Sequence, residues 1–396
     1  MKSARLSRAL IGGASALGIG VLLALPAALP AAAAPSPIKA VRLGHALYDV
    51  GVHARITQAQ ARASARAGTT VPEYTASAKV GAKSYTYSIV GKNPAIKSSN
   101  PATTVTAEIV PLIMKFSNGD TWDPTKVDSC DPGASALTRT QNSPIVKSQA
   151  WKWGGTSIGT GQVTDAYQRA DFWKYAQPTG INPKFGVTLT FKTLKPVTIN
   201  VPNAQAAFAS IGCGNKLLGL ANINWLDPFL QKTVIPSLKS QGVGTTTFPL
   251  FVLHNFGEYV GTTSQCCVLG YHNTYNTAAG AQTYGLAMYD NSRAFGSGSS
   301  DISAMSHEVA EWQNDPDTVN PTPSWGHTGQ VTGCQNNLEV GDPLSGTTFT
   351  DKVGGFTYHP QELAFFSWFY HQKPSLGVHG WYSDQDTFKT FASNCT

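Results

Sequence analysis

Charge is scarce in this chain. Asp, Glu, Lys and Arg make up 13% of its 396 residues, against about 25% in an ordinary soluble domain. Glutamate is scarcer still, with seven residues against 16 aspartates. A coiled coil, rich in Glu and Lys, is excluded. So is a disordered chain, which needs low hydrophobicity and high net charge, because 41% of the residues are hydrophobic and 10% aromatic. No C-x-x-C pair occurs, which argues against a thiolate metal site. There is no clustered basic stripe, so nucleic acid is not an expected partner. Beyond the opening segment, no predominantly apolar run is long enough to span a bilayer.

The opening segment, residues 1–34, reads as a secretory signal. Lys2, Arg5 and Arg8 precede an uncharged run that ends in Ala31 to Ala34, an A-x-A-like cleavage region. The remainder is expected to be secreted, extracellular or periplasmic, with no membrane association after cleavage. It keeps 26 basic and 23 acidic residues, a weak balance. Residues 35–75 are expected to form an Ala/Arg-rich tether or pro-segment, and residues 76–396 a single domain. The even count of six cysteines in an exported chain implies three disulfides. Adjacent Cys266 and Cys267 are expected to pair with two distant partners.

Strand patterns dominate the domain. Residues 84–90 alternate Tyr85, Tyr87 and Ile89 with polar residues, and residues 185–194 place Phe185, Val187, Leu189 and Phe191 on one face. Residues 248–253 read as a buried strand. Residues 284–289 read as another, with an open edge that could accept an extended peptide by strand addition. Asp227-Pro228 reads as N-cap and first helical residue of a helix over 229–238. The fold class is α+β.

Residues 301–314 carry the chemistry. Asp301 suits an N-cap. Ile302, Met305, Val309 and Trp312 make one apolar face, and Asp315-Pro316 ends the helix. His307 and Glu311 stand one turn apart on one side, so an imidazole and a carboxylate can share a metal ion. Glu308 lies beside them, placed to act on a water. The logic is that of H-E-x-x-H, in which two helix residues bind Zn²⁺ and the Glu is the base. Here the second His is Glu, which makes the site harder and more anionic. Zn²⁺ is the first expectation and another divalent metal the second. A third ligand must come from elsewhere. Glu339 is the first choice, then Asp317, with Asp342 and His327 after them. Asp342 could also orient His307. Tyr358 or His359 could steady an oxyanion.

Ser306-His-Glu-Val-Ala-Glu311, followed by Asp315-Pro316, resembles the active-site helix of zincin metallopeptidases. The resemblance implies a zincin-like mixed sheet with an active-site helix and a smaller C-terminal subdomain. It also implies metal ligands His307 and Glu311 with Glu308 as the base. No Met follows Met305, so a metzincin Met-turn is absent, and a gluzincin-like arrangement with Glu339 fits better. Over residues 250–370 the chain is also similar to exordium-like (phosphate-induced) secreted proteins and their secreted bacterial relatives. That similarity rests on Cys266-Cys267-Val-Leu-Gly-Tyr-His272, the S-H-E-x-A-E helix and Glu339-Val-Gly-Asp342, and implies no particular activity.

The expected function is a secreted metal-dependent hydrolase, first a zinc metallopeptidase acting on protein or peptide. The alternative is a non-catalytic extracellular binding or signalling protein that keeps a structural metal or carboxylate cluster. Exposed tryptophans among Trp122, Trp151, Trp153, Trp173, Trp325 and Trp381 would point to glycan binding. A two-carboxylate glycosidase is disfavoured, because Glu308 and Glu311 share a helix while its carboxylates must flank the bond.

Overall fold

The computed structural model describes residues 38–41, 43, 46–48, 56–210, 217–392 and 395. The expected signal over 1–34 lies outside them, as does Cys213. Among the described residues no helix is long and apolar enough to cross a membrane.

The core is one mixed sheet of twelve strands. At its centre lies Phe248–His254, whose seven residues are all buried. A strand apolar on both faces belongs inside a covered sheet. It runs parallel to Ala102–Lys115 on one side and to Gly280–Tyr289 on the other. Gly280–Tyr289 then pairs antiparallel with Cys266–Thr277 as a hairpin. Phe256–Tyr259, Leu217–Asn222 and Ala206–Ser210 continue the sheet outward. With few helices beside this sheet, the fold is α+β.

The strand over 284–289 is therefore not an open edge. It is the inner half of Gly280–Tyr289, hydrogen-bonded on both sides. Its nearly continuous apolar pattern is that of a strand buried on both faces. The helix at Asp227-Pro228 also differs. It starts earlier, at Ile223, with Asn222 as the N-cap accepting from Asn224 N. Pro228 sits inside it, and Asp227 is buried and accepts from Gln231 Nε2 at 3.0 Å. A buried partner outweighed the local capping preference.

Residues 36–396 form one compact unit. Within the expected tether, Gln58–Ala67 is a helix begun by a Thr57–Gln60 capping box. It seats Ala61 with Ile56 against Ala281. Leu47–Tyr48 runs parallel to Cys266–Thr277, opposite Val268 and Gly270. The first domain hairpin, Glu73–Val80 with Lys83–Val90, begins ahead of residue 76.

Ser303–Asn314 is the helix that carries His307, and all twelve of its residues are buried. Trp312 stacks on Phe248 at 3.8 Å between ring centroids and donates to Thr283 Oγ1 at 3.0 Å. The N-cap position falls to Ile302, without a side-chain cap. Asp301 instead accepts from the His359 backbone at 2.9 Å.

Cys266 and Cys267 are disulfide-bonded to each other, contrary to the expectation of distant partners. Cys334 pairs with Cys395, with Cα atoms 5.8 Å apart, and Cys130 is also disulfide-bonded. Adjacent cysteines close no long loop, so pairing them costs little chain entropy.

Candidate metal centre

The helix places His307 and Glu311 one turn apart, with His307 Nε2 2.9 Å from Glu311 Oε2. Asp342 enters from the turn Asp342–Leu344, its Oδ1 3.6 Å from His307 Nε2. Gly341 makes this approach possible. A Cβ on it would lie 2.4 Å from His307 Nδ1, inside van der Waals contact. The backbone N–H groups of Gly341 and Asp342 donate to Glu311 Oε1 at 2.9 and 3.3 Å. That fixes one carboxylate oxygen and turns Oε2 toward the imidazole.

A second imidazole comes from the sheet. His272 lies on Cys266–Thr277, on the face shared with Gly270, since alternate residues of a strand project together. Its Nδ1 is 3.3 Å from Glu308 Oε2 and 3.8 Å from Glu311 Oε2. Gly270 leaves the space that Glu308 fills, since a Cβ there would lie 2.9 Å from Glu308 Cγ.

The outer partners assign the ring protons. His272 Nε2 lies 3.1 Å from the Asp315 carbonyl, which can only accept, so Nε2 carries hydrogen. Gln361 Nε2 donates to Gly341 O at 2.6 Å, which leaves Gln361 Oε1 to accept from His307 Nδ1 at 3.1 Å. Each ring thus spends its outward N–H on an oxygen and turns its other nitrogen toward carboxylates. Metal-ligating histidines are held in this way. Neutral nitrogens facing carboxylate oxygens at about 3 Å repel unless a proton or a cation lies between them. Burial pushes the His272 pKa down to about 4, so this ring is neutral near pH 7. For His307, burial lowers the pKa, but the Glu311 carboxylate outweighs it and the net direction is up. For Glu311, burial raises the pKa, but His307 outweighs it and holds it low. Burial, reinforced by Glu311, pushes Asp342 up to about 7.

Two overlapping sets therefore meet at Glu311: His272, Glu308 and Glu311, and His307, Glu311 and Asp342. Within each set the ligand atoms lie within 4.8 Å of one another. These buried groups could hold a metal ion, and mixed imidazole and carboxylate donors suit Zn²⁺ and other first-row divalent ions. The centre is enclosed. His272, His307, Glu308 and Glu311 are 0% exposed and Asp342 4%. A solvated polar helix face does not describe it.

The other candidates lie as follows. Glu339 is on the far side of His272, its Oε2 4.0 Å from Nε2, while its Oε1 accepts from Asn337 at 3.0 Å. Asp317 falls in neither set and stands with Glu73. His327 lies on an exposed hairpin, 3.7 Å from the disulfide-bonded Cys334 sulfur. Tyr358 donates its hydroxyl to Arg139 O at 2.7 Å, and His359 pairs with Asp301 at 2.6 Å. Trp122, Trp151, Trp153 and Trp325 are buried, and Trp173 and Trp381 are partly buried against the core. His272 was not among the ligands expected from the sequence. Its signal was a lone histidine on the pleat face of Gly270 and Thr274, directly after the apolar stretch from Cys266 to Tyr271. No family model, curated protein or solved structure matches the chain.

Proposed function

We propose that the chain is a metal-dependent hydrolase, first a zinc metallopeptidase, secreted and acting on protein or peptide. The observation that carries this reading is that two buried ligand sets, His272 with Glu308 and Glu311, and His307 with Glu311 and Asp342, meet at the Glu311 carboxylate. His307, Glu311 and Asp342 would hold the ion, with His272 on its Glu308 side. A bound divalent ion supplies a Lewis acid for the scissile carbonyl and acidifies water. Glu308 is the base: its carboxylate takes a proton from the attacking water and can return it to the leaving amine. Gln361 and the Asp315 carbonyl hold the two imidazoles in the required tautomers.

The 0% exposure of four of these side chains favours a second reading. Structural metal sites are closed, whereas catalytic sites keep an open position. On that reading the chain is a non-catalytic extracellular binding or signalling protein stabilised by its metal centre.

The test is metal analysis of the purified protein together with cleavage of casein and a peptide library. The hydrolase reading expects about one Zn²⁺ per chain. It also expects cleavage that falls at least ~100-fold in Glu308→Gln while metal is retained. Bound metal without cleavage leaves the second reading standing. A folded, metal-free and inactive wild type overturns both.

A further inference from the structure

A separate group of acids lies just beyond the C-terminal end of the His307 helix. The chain turns there through Asp315-Pro316-Asp317-Thr318. The Asp315 carboxylate is fully used, accepting from Val319 N at 3.0 Å and Asn320 N at 2.9 Å. Asp317 is different. It is 1% exposed, and neither of its carboxylate oxygens takes a hydrogen bond within 3.5 Å. Its nearest polar neighbours are the Thr274 hydroxyl and the Glu73 carboxyl. The Thr274 hydroxyl also lies 3.3 Å from Gln282 O. Glu73 Oε2 is also buried without a hydrogen bond, and its Oε1 lies 3.5 Å from the Thr70 hydroxyl. Two carboxylates thus face each other, Asp317 buried and Glu73 partly buried, and among the described residues neither forms an ion pair with a basic side chain. A buried ionised carboxylate without a donor or a cation is strongly disfavoured.

We propose that Asp317 and Glu73, with the Thr70 and Thr274 hydroxyls, form a second cation site that takes a hard divalent ion, Ca²⁺ first. The donor set is oxygen only. Two carboxylates, each able to bind through both oxygens, and neutral hydroxyls suit Ca²⁺, which accepts six to eight oxygens in flexible geometry. No imidazole or thiolate is present to favour Zn²⁺. Thr70 and Glu73 also line a surface cleft of about 500 Å³, which gives an ion a way in. Burial, joined by the Asp317 charge, raises the Glu73 pKa well above its usual value. The site would join the start of the Glu73–Val80 strand to the turn that ends the helix. It does not depend on the His307 centre being catalytic.

The test is thermal melting and calorimetric titration of the full protein with Ca²⁺, with Mg²⁺ as the comparison. Wild type is expected to bind Ca²⁺ and to melt roughly 5 °C higher in millimolar Ca²⁺. Asp317→Asn is expected to lose both binding and the shift, while melting without Ca²⁺ no lower than wild type, because a like-charge contact is relieved. Glu73→Gln serves as a second variant should the first fail to fold. His307→Ala is expected to keep the Ca²⁺ response. A wild type with no Ca²⁺ heat and no shift overturns the proposal and leaves a proton shared between the two acids. A shift that survives Asp317→Asn but is lost in His307→Ala also overturns it, because the calcium then belongs to the other centre.

Discussion

At the scale of single residues, the centre depends on groups that supply no metal donor. Gly341 lets a backbone turn pass against the His307 ring. Gly341→Ala places a Cβ 2.4 Å from Nδ1, so either the ring or the turn must move. The expected cost is about 1–3 kcal/mol of stability, with lower metal occupancy. Urea unfolding and metal analysis of the variant check both, and an unchanged midpoint with full occupancy would count against the packing argument. His272, by contrast, is a donor brought in from the sheet. If its Nδ1 faces the ion, His272→Ala should weaken Zn²⁺ binding by at least ~10–100-fold, read by competition with a chromophoric chelator. Wild-type affinity in that variant would restrict the ligands to His307, Glu311 and Asp342.

At the scale of elements, one helix and one hairpin make the site. Ser303–Asn314 is buried on every side, so its polar residues can point only at other elements. The hairpin of Cys266–Thr277 and Gly280–Tyr289 supplies the floor, and the turn at Gly341 and Asp342 closes it. Trp312 joins helix to sheet through Phe248 and Thr283. Trp312→Ala removes a fully buried ring and should cost about 3–5 kcal/mol, seen as a lower urea midpoint at unchanged slope. A loss below about 1 kcal/mol would show that the helix is held mainly by other contacts.

At the scale of the whole molecule, scarce charge is also buried charge. Burial pushes Asp165 and Asp290 up to about 6 and Glu108 up to about 7. Each therefore keeps its proton in the folded protein to a higher pH than in the unfolded chain. Between the ordinary values and these raised ones the folded state binds more protons, so stability falls as pH rises through that window. Glu311 runs the other way. Its pKa is held low, so its contribution is present above the unfolded value and is lost as pH falls through the folded one. The metal-free protein should therefore melt highest near pH 5 and lower at pH 8. Calorimetry across that range checks it, and a melting temperature that climbs toward pH 8 would contradict the assignment.

The sequence by itself determined what is periodic or local. The pattern over 248–253 sufficed for a buried strand, Asp315-Pro316 for the end of the helix, and the i, i+4 spacing for the pairing of His307 with Glu311. These need only neighbours along the chain. Only the tertiary structure decided what comes from afar. It set His272 against Glu308 across 36 positions and brought Asp342 rather than Glu339 to His307. It sent Asp317 to Glu73, and it enclosed a strand that looked like an edge. The physical reason is the same in each case. A carboxylate or an imidazole taken out of water must find a partner, and which partner it meets depends on how the sheet and helix pack.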